Sequence, residues 1–217
     1  MILLASKSSG RLATLQAAGV KPLVQVSTVD EDAVLHELAD QHRMAGLPAP
    51  SAVEQVQALA RAKALDVAAS TGSQDTVVIV GCDSMLEIDG RTVGKPVDVS
   101  EARERWRTMS GSTGTLHTGH FLVRSSDGST AEGVSSAIIR FGSPSQAEIE
   151  AYIASGEPLW CAGAFTIDGL GGAFIEGIDG DPHGVVGISL PLLRRLLGDL
   201  GVRWTDLWAS PAGHETD

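Results

Sequence analysis

One short run constrains the fold of this chain more than any other feature. Residues 77–80, Val-Val-Ile-Val, are four consecutive β-branched residues with no polar interruption. A continuous apolar run of this length predicts a strand that is buried on both faces, which is typical of the centre of an α/β sheet. We therefore expect a central strand over 76–85.

Helical and extended patterns are interleaved on both sides of this strand. The predicted helices run from 8 or 9 to about 19, over 51–69, 100–109, 146–154 and 189–200; the predicted strands cover 1–5, 24–29, 76–85, 92–93, 111–123, 131–141 and 173–178. Asp89-Gly90 and 126–128 are predicted hairpin turns, 30–32 an acidic turn and 40–51 a connecting loop. The order predicts an α/β fold with a mixed sheet and flanking helices, antiparallel in its second half.

Charge and composition exclude several classes of protein. The 27 acidic and 16 basic residues give a net charge of -11, which opposes general binding to nucleic acid or to anionic membranes. No apolar stretch reaches the roughly 20 residues that a membrane helix needs, and the first residues lack the pattern of a secretory signal. We expect a cytoplasmic protein whose cysteines, Cys82 and Cys161, are free thiols.

Two charged residues occupy places where charge is costly, and a third follows closely in the sequence. Lys63 falls in the middle of the apolar face of the predicted helix 51–69, so its ammonium must reach solvent, lower its pKa, or meet a carboxylate or a phosphate. Asp83 follows the apolar run 77–80, where we expect the strand to leave the core and where open α/β sheets bind ligands, although a turn or capping aspartate is the alternative. Lys95 follows closely in Gly94-Lys95-Pro96 and could bring a second ammonium near Asp83.

Two further segments suggest phosphate and metal chemistry. The first predicted helix begins among the hydroxyls of Ser6 and Ser8, with Arg11 in its first turn, and a helix N-terminus with such groups can bind phosphate. Solvated surface cations are the alternative interpretation. Glu31, in the acidic turn, could help to hold a divalent ion, because such ions prefer carboxylate oxygens and water. A solvated acidic turn remains the other possibility.

These residues stand in motifs whose order and spacing resemble those of the Maf (septum-formation) family. The motifs are Leu4-Ala5-Ser6-Lys7-Ser8-Ser9-Gly10-Arg11, Val29-Asp30-Glu31, Ala60-Arg61-Ala62-Lys63-Ala64, Gly81-Cys82-Asp83-Ser84, Gly94-Lys95-Pro96, Met109-Ser110-Gly111, Gly156-Glu157-Pro158, Ala162-Gly163-Ala164-Phe165 and Gly187-Ile188. The resemblance extends over about residues 2–197. Each motif alone is weak, but the ordered set is specific.

The resemblance implies a cytoplasmic nucleoside triphosphate pyrophosphatase with an elongated α/β fold around a central cleft, similar to inosine triphosphate pyrophosphatases. It implies one domain over 1–205 with two lobes, followed by a loose tail over 206–217, and a homodimer. Such enzymes use Mg²⁺ or Mn²⁺ to cleave between the α- and β-phosphates. The implied partner is a free nucleotide, with no nucleic acid and no membrane.

Family roles transfer by resemblance to individual positions. Asp83 corresponds to the proton acceptor for water and to a metal-site residue, and Glu31 to the second acidic metal-site residue. Lys63, Lys95 and Arg11 correspond to triphosphate contacts. Whether Asp83 acts on water directly or through the metal stays open.

The chain also departs from the family pattern. Ser9-Gly10-Arg11 replaces the usual Pro-Arg-Arg, and Gly114 stands where a histidine is frequent. Cys161 and Asp168 occupy the places of a lysine and a glutamine found in the branch that prefers dTTP and UTP. They look more like the branch that acts on 7-methylguanosine triphosphate, since a carboxylate at Asp168 could accept two hydrogen bonds from a guanine edge.

Two other functions remain open at this stage. One is a non-catalytic, nucleotide-binding regulator of septum formation, which the missing arginine and Gly114 allow. The other is a phosphomonoesterase that uses the same cations and releases orthophosphate. Asp83, Lys63, Lys95 and Glu31 together favour catalysis, because binding alone does not require a base and metal carboxylates.

Overall fold

A computed structural model describes residues 1–71 and 78–209 of the chain. The helices are α1 (Ser9–Ala17), α2 (Glu31–Met44), α3 (Ala52–Thr71), α4 (Val99–Met109), α5 (Gln146–Ala154), α6 (Pro182–Val186) and α7 (Leu190–Asp199). The strands are β1 (Ile2–Leu4), β2 (Leu23–Val24), β3 (Val78–Ile88), β4 (Arg91–Val93), β5 (Thr113–Arg124), β6 (Thr130–Phe141) and β7 (Ile175–Asp179). Short 3-10 helices cover Glu157–Trp160, Ala162–Ala164, Leu170–Phe174 and Trp204–Leu207.

The described strands form one mixed sheet in the order β2-β1-β3-β5-β6-β7, and β4 pairs with β3. Strand β1 runs parallel to β2 and to β3, whereas β3, β5, β6 and β7 are successively antiparallel. The predicted α/β fold with a mixed sheet is confirmed. The predicted central strand is also confirmed, although Thr76 and Val77 of that prediction lie outside the described residues.

The alternation of side chains along β3 distributes its residues between two layers. Gly81 faces α3, because a Cβ atom added to it would meet the backbone of Ala60 and Ala64. Cys82 faces the other way and packs in the apolar core beneath α7. Asp83 and Ser84 continue this alternation, so two neighbouring polar residues project into different layers.

Helix α3 approaches the sheet closely because glycines provide the space. Gly119 on β5 pairs with Asp83 on β3, and a Cβ atom at Gly119 would collide with the carbonyl oxygen of Val56 on α3. This contact fixes the height of α3, and therefore of Lys63, above the strand that carries Asp83. Close backbone approach is a recurrent reason for glycine inside a strand.

The Gly119→Ala substitution should lower the free energy of unfolding by about 3 kcal/mol, because the added methyl group overpacks the interface between α3 and β5. Denaturant titration measures the loss. Gly198→Ala on α7 is the matched control, since a Cβ atom there meets nothing within 4 Å and should leave stability equal or higher. Equal stability of the wild-type protein and the Gly119 variant would contradict the close approach.

The second helix corrects two predictions. Residues 30–32 are not an isolated turn: Asp30 caps α2 by accepting a hydrogen bond from the backbone N–H of Ala33, and Glu31 lies in the first turn. The predicted loop 40–51 begins only after Met44. No residue of α2 is fully buried, and its short apolar face of Val34, Leu35 and Leu38 is only half-buried.

The strand predicted over 24–29 is reduced to Leu23–Val24. Ser27 and Thr28 lie outside the sheet because they bind Asp66 of α3. Its carboxylate accepts hydrogen bonds from the backbone N–H of Thr28 at 2.8 Å and from the hydroxyl of Ser27 at 2.9 Å. Side-chain hydrogen bonds of this kind compete with sheet pairing.

Two C-terminal predictions are also adjusted. The extended segment predicted over 173–178 begins as a 3-10 helix, and strand β7 starts only at Ile175. The tail predicted to be loose from 206 is ordered over its first residues, because Asp206 lies in a 3-10 helix and Trp208 forms a β-bridge with Val20. Residues 210–217 lie outside the described part of the chain.

Two further predictions concern cysteine and membrane insertion. Cys82 is buried, Cys161 is partly buried, and both are free thiols, as predicted. Across residues 1–71 and 78–209, no helix combines the length and the apolar composition that crossing a membrane requires.

Candidate active site

A lysine between two carboxylates forms the centre of the candidate site. The Nζ atom of Lys63 lies 2.6 Å from Oδ1 of Asp83 and 2.8 Å from Oε1 of Glu31. The Lys63 and Asp83 side chains are only 12% and 11% exposed, whereas that of Glu31 is 52% exposed. An ammonium on an apolar helix face can reach solvent, lower its pKa or meet an anion, and that of Lys63 meets two carboxylates. The predicted grouping of Lys63, Asp83 and Glu31 in space is therefore observed.

The two carboxylates differ in proton affinity. Burial raises the pKa of Asp83 above its ordinary value, and the positive charges of Lys63 and Arg11 oppose this rise without cancelling it. Burial also acts on Glu31, but its hydrogen bond to Lys63 and the ammonium groups of Lys63, Lys95 and Lys7 outweigh burial and lower its pKa. The pKa values of the two carboxylates therefore shift in opposite directions, towards the neutral acid at Asp83 and towards the carboxylate at Glu31.

Arg11 points inward rather than into solvent. Its Nε donates to the carbonyl oxygen of Gly187 at 2.7 Å, its Nη1 donates to Oγ of Ser6 at 2.9 Å and its Nη2 donates to Oγ of Ser84 at 3.2 Å. Gly187 has a left-handed φ of 120°, and a Cβ atom there would lie 3.0 Å from the Arg11 Nε. These contacts hold the guanidinium against Ser84, the neighbour of Asp83. Both residues lie in the middle of β3, which stays buried and paired with β5 beyond them, so the expectation that Asp83 stands where the buried strand ends is wrong.

The same helix start is organised by serine. Ser8 is the N-cap of α1, and its Oγ accepts the backbone N–H of Arg11 at 3.3 Å. Ser6 accepts the backbone N–H of Ser8 at 3.2 Å as well as the Arg11 side chain. The segment predicted to be a phosphate cradle is therefore a capped helix start with an ordered arginine. Lys7 is exposed beside it.

Residues from the far side of the sheet support this arrangement. Thr118 on β5 lies 2.8 Å from Oγ of Ser84 and donates to the carbonyl oxygen of Gly184 at 2.8 Å. His120, two residues along, accepts the backbone N–H of Ser189 at its Nε2 at 2.9 Å, and its Nδ1 faces the Thr118 carbonyl at 3.0 Å. Both residues fix the segment that presents the Gly187 carbonyl to Arg11.

His120 should make the folded protein sensitive to acid. Burial lowers its pKa to about 4, whereas the unfolded chain takes up this proton near pH 6.5. The unfolded state binds more protons between these values, so falling pH favours unfolding, by up to about 3 kcal/mol. In denaturant titrations from pH 7 to pH 4, the His120→Gln variant should lose less free energy of unfolding than the wild-type protein. Identical losses would contradict a neutral, buried His120.

Lys95 and Asp168 lie at the edge of the site. The turn that carries Lys95 is anchored by Arg105, which donates to the carbonyl oxygens of Gly94 and Lys95, and by the backbone N–H of Gly163. The exposed Lys95 acts electrostatically on Glu31 and Cys161, and no direct contact with Asp83 is found among the described residues. Lys95 was expected to come near Asp83. In the structure its charge acts on Glu31, which shares Lys63 with Asp83.

Asp168 is exposed and lies beside the start of α1. A Cβ atom added to Gly10 would lie 3.2 Å from its Oδ2 atom. The charge of Asp168 also contributes to the raised pKa of Cys161, after burial and Glu157. Gly10 occupies the position of the missing arginine, so two of the departures from the Maf pattern are neighbours in space.

The carboxylates of Asp83 and Glu31 supply the oxygen ligands that a magnesium or manganese ion prefers, but only two of them. Lys63 contacts one oxygen each of Asp83 and Glu31, which leaves Oδ2 and Oε2 as possible ligands. Within the described residues, no group of three or more His, Cys, Asp or Glu side chains could hold a metal by itself. Mg²⁺ commonly binds through one or two carboxylates together with substrate phosphates and water, so the pair fits an ion that is completed by a triphosphate.

Comparison with known proteins decides the family. The family model described as Maf-like protein matches residues 1–200. The chain belongs to the Maf family. Its Maf relatives include proteins of Rhodococcus opacus, 52% identical over 95% of both chains, and Streptomyces coelicolor, 50% identical over 96% of this chain and 94% of its own. A relative in Mycobacterium marinum is 50% identical over 96% of this chain and 97% of its own. Each of these three Maf proteins is named nucleoside triphosphate pyrophosphatase.

Some residues of this Maf site were not predicted from the sequence. Ser84, Thr118 and His120 contribute through hydrogen bonds to segments far away along the chain. The available signal was the presence of polar residues inside the long buried strands β3 and β5, because a buried hydroxyl or imidazole needs a partner. The sequence cannot identify that partner.

Proposed function

We propose that this chain is a nucleoside triphosphate pyrophosphatase that converts nucleotides to a monophosphate and pyrophosphate, and so removes modified nucleotides before polymerases use them. The observation that carries the proposal is the buried Asp83, which is paired with Lys63 and has Arg11 bound to the next residue of the same strand. Family membership and the names of relatives about half identical over nearly the whole chain support the same activity.

The cations of the site suit a triphosphate. Arg11 uses three of its five N–H donors on protein atoms, and the others remain for phosphate oxygens. Lys63 lies between the carboxylates, and Lys95 is exposed at the edge. We infer that these groups neutralise the triphosphate and stabilise the charge that develops on the departing pyrophosphate.

Asp83 suits the role of proton acceptor for the attacking water. Burial raises its pKa, which makes its carboxylate a stronger base than an exposed aspartate, while Lys63 opposes this rise and orients the carboxylate through a hydrogen bond. A divalent ion bound by Asp83 and Glu31 would supply charge neutralisation and help to orient water and phosphate. With or without such an ion, the role of Asp83 towards the attacking water requires its carboxylate.

Asp168 is our candidate for base recognition. Its exposed carboxylate faces the start of α1 and lies near Cys161, at the edge of the cationic site. A carboxylate can accept two hydrogen bonds from the N1–H and N2–H₂ groups of guanine, which supports a guanine nucleotide such as 7-methylguanosine triphosphate as substrate. Glutamine accepts at only one atom and donates at the other.

The Asp168→Gln substitution should therefore lower the ratio of guanine to pyrimidine triphosphate turnover by about tenfold, the equivalent of one lost charged hydrogen bond. The ratio of kcat/KM values for GTP, 7-methyl-GTP, UTP and dTTP measures it. Asp179→Asn, which removes an exposed carboxylate from β7, is the control. An unchanged ratio would refute the role of Asp168.

The test of the function is a product assay. Purified protein with Mg²⁺ or Mn²⁺ should convert members of a nucleotide panel to monophosphate and pyrophosphate, and chelation of the metal should stop the reaction. Orthophosphate as the first product would indicate a phosphomonoesterase. Nucleotide binding without turnover would instead favour the regulatory alternative.

We also propose that the protein acts as a cytoplasmic homodimer on free nucleotides and does not bind nucleic acid. The net charge of -11 supports free nucleotides, because the whole surface repels a polyanion while the cations of the site act locally. Sedimentation with and without DNA tests both statements. A monomer, or a complex with DNA, would contradict them.

A further inference from the structure

We propose that Glu157 is a positioning residue for base recognition: its carboxylate holds the loop 166–171 that presents Asp168. The inference rests on the proposed function, since it assigns a second residue to the same base-reading site. Nothing in the charge pattern of the sequence distinguishes Glu157 from other acidic residues. Its contacts do.

The Glu157 carboxylate collects donors from both ends of this loop. Its Oε1 accepts the hydroxyl of Thr166 and the backbone N–H of Gly171, the latter at 3.0 Å. Its Oε2 accepts the backbone N–H of Leu170 at 3.0 Å. Asp168 lies between these anchored residues, so the loop is closed around one carboxylate while its apex faces outward.

Tyr152 connects this closed loop to the core. Its hydroxyl donates to the Glu157 Oε1 at 3.0 Å and accepts the backbone N–H of Thr166 at 3.2 Å. Its ring is buried edge-on against Trp106 at 5.5 Å and Phe174 at 5.6 Å. The buried aromatic cluster therefore holds the loop in place through the hydroxyl of Tyr152.

The loop packs too tightly to move without breaking these bonds. A Cβ atom at Gly169 would lie 2.5 Å from Oε2 of Glu157, and one at Gly171 would collide with the Tyr152 hydroxyl. Burial favours the neutral acid, but the bonds from Thr166, Leu170, Gly171 and Tyr152 outweigh it and lower the pKa of Glu157. A charged carboxylate accepts from all these donors at once, whereas glutamine would turn an amide donor toward some of them.

This geometry separates Glu157 from the triphosphate end of the site. Its four donors belong to residues 152–171, and Arg11, Lys63 and Asp83 are held by other elements. Loss of the anchor should therefore weaken recognition of the base and leave recognition of pyrophosphate intact. A general loss of folding would affect both.

The Glu157→Gln variant tests this separation with the full chain, Mg²⁺ and the best substrate of the panel. We expect KM to rise by about tenfold with kcat changed less than about threefold, and selectivity between guanine and pyrimidine triphosphates to fall by a similar factor. Inhibition by pyrophosphate, the probe of the cationic end, should be unchanged. Hydrogen exchange at the Leu170 and Gly171 amides should become faster.

The matched control is Glu148→Gln. Glu148 also accepts two hydrogen bonds, from the N–H and hydroxyl of Ser145 at 2.7 Å each, but it caps α5 and does not contact the loop. The Glu148→Gln substitution should leave KM and selectivity unchanged. If Glu157→Gln fails to fold, Tyr152→Phe removes two of the anchoring bonds while it keeps the buried ring, and it should show the same split to a smaller extent.

Unchanged KM and selectivity in a folded Glu157 or Tyr152 variant would overturn the inference, as would a pyrophosphate inhibition constant that rises together with KM. Failure of the proposed function looks different. In that case the wild-type protein itself would turn over no triphosphate, and the inference would fall with the activity on which it rests.

Discussion

Asp83→Asn should lower kcat for triphosphate hydrolysis by about 1000-fold while the protein remains folded and still binds pyrophosphate. Asparagine has the same shape as aspartate, and its amide oxygen can still accept a hydrogen bond from Lys63. It cannot take a proton from water. It also removes a negative charge that faces the substrate phosphates. Binding should therefore be equal or tighter, and the loss should fall on the chemical step.

Asp127→Asn is the control for this substitution. Asp127 is likewise paired with a cation, Arg124, but it lies in the exposed turn between β5 and β6. Its replacement should leave kcat and KM at wild-type values. Residual activity of Asp83→Asn within about tenfold of wild type would show that Asp83 is not the proton acceptor.

Lys63→Met should abolish activity and also lower the free energy of unfolding by about 3 kcal/mol at pH 7, because removing one partner leaves a buried carboxylate without compensation. Methionine retains the apolar stem that covers the face of α3. The remaining Asp83 would face Glu31 with no cation between them. Denaturant titration and turnover measure the two losses.

The double variant Lys63→Met with Asp83→Asn separates the causes. It should recover much of the lost stability, since no bare carboxylate remains buried, and it should stay inactive. Lys21→Met, an exposed lysine, is the matched control and should change neither quantity. Additive losses in the double variant would contradict the ion pair as the source of the stability effect.

The parts of the fold that follow local patterns were predictable. The run 77–80 identified the central strand, and the apolar face of the helix over 51–69 identified α3. Helix α2 was missed although Val34, Leu35 and Leu38 recur at helical spacing and Asp30 caps its start. These apolar residues form a short, half-buried face among charged residues, which is a weaker signal than the fully buried face of α3.

In the candidate site, too, local patterns were predictable from the sequence and contacts between distant segments were not. Lys63 and Asp83 were conspicuous because a charge on an apolar face or just after an apolar run needs a partner. The sequence could not show that Glu31 shares that lysine, nor that Arg11 is held by Gly187, because these contacts join distant segments. Glu157 stood in the motif Gly156-Glu157-Pro158, but the sequence could not show which donors its carboxylate accepts, since two of the four are backbone amides that every sequence contains.

The central claim is hydrolysis between the α- and β-phosphates, and the identity of the products tests it most directly. The wild-type protein, with Mg²⁺ and a purified nucleoside triphosphate in ¹⁸O-labelled water, should yield monophosphate and pyrophosphate in equal amounts, with the label in the monophosphate. Asp83→Asn should form these products about 1000-fold more slowly. Release of orthophosphate, or equal turnover by the variant, would contradict the pyrophosphatase function.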